Sequence, residues 1–223
     1  MTRISKKNLP AYLKDIYSWL YLNPYLYKLL NKDFVQNFLT LGYHRILAEE
    51  VRKEISPHSH ILQVGLTFGS QITKTYSSIG MLGSYTIIDI VPQLLEYRQE
   101  KYKEQRINLI QADAAKTIKG EYDTIICYML LHELPPYTRT SVLNNMMKAL
   151  KPEGKIIFID YHLPLSYNPL KYIIRAVNRL YQPFAETLWK KSIKELTPKA
   201  ETCTWTQQTY FGGIYQKVVA TKK

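Results

Sequence analysis

Between His60 and Asp160 the chain alternates short apolar runs with amphipathic stretches, and this rhythm limits the fold more than any other feature. His60–Val64, Tyr85–Asp89, Ile107–Gln111, Asp123–Met129 and Lys155–Asp160 read as strands. Ser70–Tyr76, Pro92–Lys103 and Thr138–Leu150 can be helical between them. Such βαβ alternation predicts a parallel sheet covered by helices, with ligands at the carboxyl ends of the strands. The end of the chain differs: Glu201–Phe211, Gly212-Gly213 and Ile214–Thr221 predict an antiparallel hairpin.

The first strand runs into Gly65-Leu66-Thr67-Phe68-Gly69-Ser70. Glycines at a strand-to-helix turn let backbone approach a ligand closely and set free N–H groups beside it. A purely structural turn is the competing reading. The spacing lacks the third glycine of the dinucleotide pattern. It resembles the first motif of S-adenosylmethionine (SAM) enzymes, acid-x-Gly-x-Gly-x-Gly, with Gln63 at the acidic position and Thr67 at the middle glycine. Asp89 ends the second strand, where a carboxylate can accept both ribose hydroxyls. Asp113 and Ala114 follow the third, where an adenine would arrive; either aspartate can equally be a turn former. Gln63, Gly65, Gly69, Asp89, Asp113 and Ala114 are therefore the candidate cofactor residues. The expected fold is α/β, a Rossmann-like class I SAM-methyltransferase sheet closed by an antiparallel hairpin.

Ahead of the sheet, residues 1–55 read as a helical extension or lid. Asn8 can cap a first helix carrying Leu13, Ile16, Tyr17, Leu20 and Tyr21, and a long helix is expected from about Phe34 to Ile55. Residues 56–223 form the expected SAM-binding domain, with a helical insertion at about 167–197. The two cysteines, Cys127 and Cys203, make neither a disulfide framework nor a metal pair. No apolar run reaches the ~20 residues of a spanning helix, and the opening residues lack a signal-peptide core. A cytoplasmic, reducing location is expected.

Leu130-Leu131-His132-Glu133-Leu134-Pro135 and Asp160-Tyr161-His162-Leu163-Pro164 narrow the field, with Gln182-Pro183-Phe184-Ala185-Glu186 and Leu9-Pro10-Ala11-Tyr12-Leu13. From about Leu9 to Leu196 the chain resembles the rhodoquinone-biosynthesis branch of the SAM-methyltransferase superfamily, and Gln63 in place of the acid is shared with that branch. The resemblance implies conversion of ubiquinone to rhodoquinone, with SAM as amino donor and a manganese ion assisting. A conventional methyltransferase acting on a quinone or another lipophilic molecule is the alternative. A non-catalytic basic SAM-fold protein binding membrane or RNA is the third reading. The glycine turn with its two aspartates argues against that third reading, and a nucleic acid partner is not expected.

His132 and His162 follow strands four and five, where an imidazole can shuttle protons or join Asp160 and Glu133 around a metal. A histidine merely bonded to a loop carbonyl is the competing role. Tyr43 and Tyr161 are candidates to face a quinone ring. Net charge is +12, which favours anionic partners. Leu170, Ile173, Ile174, Val177, Leu180, Tyr181, Phe184, Leu188 and Trp189 recur at helical spacing among Lys171, Arg175, Arg179, Lys190, Lys191 and Lys194. This pattern fits a helix lying on an anionic membrane, and peripheral association with the inner membrane is expected. The same stripe would also suit a helix covering the sheet.

Overall fold

A computed structural model describes residues 9–21, 23–103 and 105–223, so the cap expected at Asn8 lies outside the described residues. The chain forms two compact units, Met1–Ala114 and Ala115–Lys223. Among its described residues the first holds helices α1 (Ala11–Asp15), α2 (Ser18–Tyr21), α3 (Pro24–Leu30), α4 (Asp33–Leu39) and α5 (His44–Glu54). It continues through β1 (His60–Val64), α6 (Gln71–Tyr76), β2 (Ser84–Asp89), α7 (Pro92–Lys101) and β3 (Ile107–Gln111). The second holds β4 (Tyr122–Tyr128), α8 (Pro136–Lys148), β5 (Leu150–Tyr161), α9 (Leu170–Tyr181), α10 (Ala185–Leu188) and α11 (Ile193–Leu196), then β6 (Cys203–Tyr210) and β7 (Tyr215–Lys222).

The seven strands take the order β3-β2-β1-β4-β5-β7-β6. β1, β2 and β3 pair in parallel, as do β4 and β5, while β7 runs antiparallel to both β5 and β6. The central strands explain their own sequences. Ile125, Ile126 and Cys127 of β4 and Ile156 to Ile159 of β5 are fully buried, so both faces are covered and apolar residues run without alternation. The hairpin turns through Phe211, Gly212 and Gly213, all with positive φ (51°, 59° and 84°).

The long helix expected from Phe34 to Ile55 is two. Leu41 (φ 52°) and Gly42 (φ 90°) leave the helical region, and the Gly42 N–H closes α4 on the Asn37 carbonyl at 2.7 Å. The Thr40 hydroxyl then accepts the His44 N–H at 2.7 Å and starts α5 in a new direction. α5 buries Leu47, Ala48 and Val51. A fully buried Leu or Val contributes roughly 1.5–3 kcal/mol, which ties this helix to its unit despite a polar outer face. The first helix also breaks in two, and α8 opens on Pro136 rather than Thr138 because proline suits a first helical position.

Candidate functional site

In the first unit, the turn after β1 is held by backbone and by one carboxylate. Gly65 has φ 86° and donates its N–H to the Ile88 carbonyl at 2.9 Å. Asp89, at the end of β2, accepts the Leu66 N–H on Oδ2 and the Val91 N–H on Oδ1, each at 2.7 Å. The Ile90 N–H also bears on this carboxylate, which with about four acceptor sites still has room for a hydroxyl. Burial pushes the Asp89 pKa up to about 6, against the pull of these N–H bonds. The Asp89 carbonyl accepts the Ala112 N–H at 3.0 Å, which ties the half-buried Asp113 and Ala114 to the same strand ends.

Two of the expected cofactor residues have other work. Gln63 is fully buried: its amide donates to the Gly65 carbonyl at 3.1 Å and its Oε1 accepts the Tyr85 hydroxyl. It braces the turn from within the core. Gly69, with φ 77°, meets the leader helices. A Cβ there would lie 2.4 Å from His44 Nε2 and 3.0 Å from Asp33 Oδ1, and its N–H donates to Asn31 Oδ1 at 3.3 Å. His44 Nε2 lies 3.6 Å from Asp33, and burial lowers the His44 pKa despite that carboxylate. Tyr21 stacks on Phe68 at 6.4 Å between centroids. The leader therefore grips the glycine turn, and Tyr43 stands half-buried at the start of the gripping helix.

Arg98 is a neighbour of the glycine turn that the sequence did not single out. It is buried, donates to the Thr67 carbonyl, and lies 6.0 Å from the Phe68 ring centre. Its signal was a lone arginine on the apolar stripe Leu94, Arg98, Tyr102.

In the second unit, His132 sits in a 3-10 turn, Leu131–Glu133, after β4. Its Nδ1 lies 2.7 Å from Asp160 Oδ1, at the end of β5, and both side chains are at most 3% exposed. Asp160 also accepts the Leu131 N–H at 2.8 Å and the Tyr161 N–H at 2.7 Å. Carboxylates only accept, so Nδ1 carries the proton and Nε2 has the basic lone pair. Glu133 Oε1 is 4.0 Å from Nε2. Burial pulls the His132 pKa down, but Asp160 and Glu133 outweigh it and hold it above the usual imidazole value. The Tyr161 ring meets the imidazole edge-on at 4.6 Å and stacks on Tyr215. Burial, then Asp160, pushes the Tyr161 pKa up to about 12, so it stays a phenol at neutral pH. The buried Arg139 holds the turn, donating to the Leu131 and Leu134 carbonyls at 2.9 and 3.0 Å and to the Phe184 carbonyl at 3.1 Å.

His162 does not join this pair. Its Nδ1 bonds the Gly213 carbonyl at 3.0 Å, and the residue borders a separate pocket of about 120 Å³ with Leu188, Trp189 and Gln216. A manganese site does not fit either. Among the described residues no three His, Cys, Asp or Glu side chains are disposed to hold a metal ion. Asp160 is occupied by two N–H groups and an imidazole, and the His162 bond turns that ring to the hairpin.

Residues 61–154 match the family described as a methyltransferase domain. The chain is 26% identical over 169 residues to ribosomal RNA small subunit methyltransferase A of Malacoplasma penetrans, covering 69% of this chain and 60% of that one. To the ubiquinone/menaquinone biosynthesis C-methyltransferase UbiE of Shewanella sediminis it is 22% identical over 140 residues, 59% of this chain and 55% of that one. The structure of human N-acetylserotonin methyltransferase in complex with SAM superposes with a TM-score of 0.63 at 16% identity, covering 99% of this chain and 62% of that one. In each case the chain spans less than two thirds of the relative. The matched segment lies within a sheet whose strand order and closing antiparallel hairpin give the chain an α/β, Rossmann-like fold similar to that of this methyltransferase structure.

Proposed function

We propose that the protein transfers the methyl group of SAM to a lipophilic small molecule, a quinol-like acceptor with an ionisable hydroxyl or an activated ring carbon. The His132–Asp160 pair carries this reading, because methyl transfer to such an acceptor requires a base for one proton. SAM, when bound, would supply a methyl group on a sulfonium, with S-adenosylhomocysteine as the leaving group toward the acceptor's electron pair. Asp89 would accept a ribose hydroxyl at its remaining acceptor site, Gly65 would let backbone approach, and Asp113 with Ala114 would border the adenine. Nε2 of His132 takes the acceptor's proton, while Asp160 holds Nδ1–H and stabilises the imidazolium that forms. Tyr161, as a neutral phenol, offers an aromatic wall beside the imidazole. The likeness to a quinone-modifying C-methyltransferase supports the substrate class.

A second reading, amino transfer from SAM in rhodoquinone synthesis, is favoured by Gln63 at the usual acid position and by Asp160-Tyr161-His162. One experiment separates the two. Purified protein is incubated with SAM and a short-chain ubiquinol or its demethylated form, and products are read by mass spectrometry. A gain of one methyl supports methyl transfer, and replacement of methoxy by amine supports the second reading. Methylation of RNA with no quinol product would overturn both.

A further inference from the structure

α9 is amphipathic in the wrong sense for a helix that covers a sheet. Its one buried residue is Asn178, at 1% exposure. Arg175 and Arg179 reach Glu186 of α10 at 3.7 and 3.2 Å. The apolar side chains Ile173 (61%), Val177 and Leu180 (76%), at i, i+4 and i+7, are exposed on one stripe, with Tyr172 and Tyr181 beside them. Leu163, Leu165 and Tyr167 are exposed in the loop that leads in. The stripe read from sequence divides at Pro183: Ala185 and Leu188 of α10 are buried, and α9 alone faces out. A surface of contiguous large apolar residues marks a contact with another phase or partner.

We infer that α9 and the loop before it dock on an anionic lipid surface. Charge selects this occupant over a second copy. Lys190, Lys191 and Lys194 are exposed in the same segment, and the whole chain carries +12, so two copies would bring like charges face to face. An anionic bilayer supplies the opposite charge, about fivefold in partition per basic residue near the surface. Tyr167, Tyr172 and Tyr181 combine an apolar ring with a hydroxyl, the chemistry suited to the headgroup boundary. No helix among the described residues is long and apolar enough to cross a membrane, so the contact is in-plane. This surface stands whatever group the enzyme transfers.

The test is sedimentation with phosphatidylcholine vesicles, with and without phosphatidylglycerol, for wild type and the double variant Ile173→Asp, Leu180→Asp. Both positions are exposed, so the fold should persist, which circular dichroism and SAM affinity check. Wild type should sediment with anionic vesicles, more weakly as salt rises. The double variant should lose about tenfold or more of that partition. Transfer to a water-soluble short-tailed acceptor without vesicles should be unchanged, which separates failure of the surface from failure of the proposed reaction. Equal partition of wild type and variant overturns the inference. So does a concentration-dependent dimer, seen by analytical ultracentrifugation, that the variant abolishes without any vesicle binding.

Discussion

Asp89 and Asp160 are built alike and used differently. Each is an aspartate at the carboxyl end of a parallel strand. Each accepts an N–H from the turn after another strand, Leu66 for Asp89 and Leu131 for Asp160, and a second from the residues just beyond itself. At Asp160 a third bond comes from His132. At Asp89 a third backbone N–H, that of Ile90, stands where the imidazole would be, and burial raises the pKa. One carboxylate suits hydroxyl binding, and the other tunes a base. A repeated backbone device thus yields two chemistries according to whether an imidazole or a backbone N–H fills the third position.

The largest expected effect comes from removing that imidazole. His132→Ala should lower turnover by about 10²–10⁴-fold, the range of general-base catalysis, with SAM affinity held. Steady-state kinetics alongside calorimetry would show it; a variant that turns over like wild type removes His132 from the chemistry. Asp89→Ala should do the reverse, weakening SAM binding by roughly 1.5–3 kcal/mol while turnover at saturating SAM is preserved. Unchanged SAM affinity in a folded variant would end the ribose assignment.

Two pH effects are smaller and sharpen the contrast. Hydroxyls donate best to ionised Asp89, so SAM affinity should fall as pH drops through about 6 and be flat above it. Titration calorimetry across that window checks it, and Asp89→Asn should abolish the dependence. His132 must be neutral to accept a proton, so turnover should rise with pH through its raised pKa. Asp160→Asn removes the charge that raises it, so the midpoint should move to lower pH as turnover falls. A midpoint that stays in place would mean that Asp160 only supports the fold. Gly69→Ala, smallest of all in catalytic terms, should chiefly destabilise, by about 1–3 kcal/mol, through its positive φ and the collision with His44.

The sequence by itself determined the order of strands and helices, the closing hairpin, and the placing of Asp89, Asp113, His132 and Asp160 at strand ends. Those follow from local periodicity and turn chemistry, which short stretches of chain contain. Tertiary structure alone decided what those residues touch. The His132–Asp160 bond spans 28 residues, and nothing local distinguishes a paired imidazole from one bonded to a carbonyl, as His162 is. Gln63 read as a cofactor residue until burial beside Tyr85 made it a brace, and Gly69 as a ligand glycine until His44 filled its open side. The outward apolar face of α9 was equally open in the sequence. A helical period gives the width of a stripe but not its direction, which is set by the neighbours it packs against.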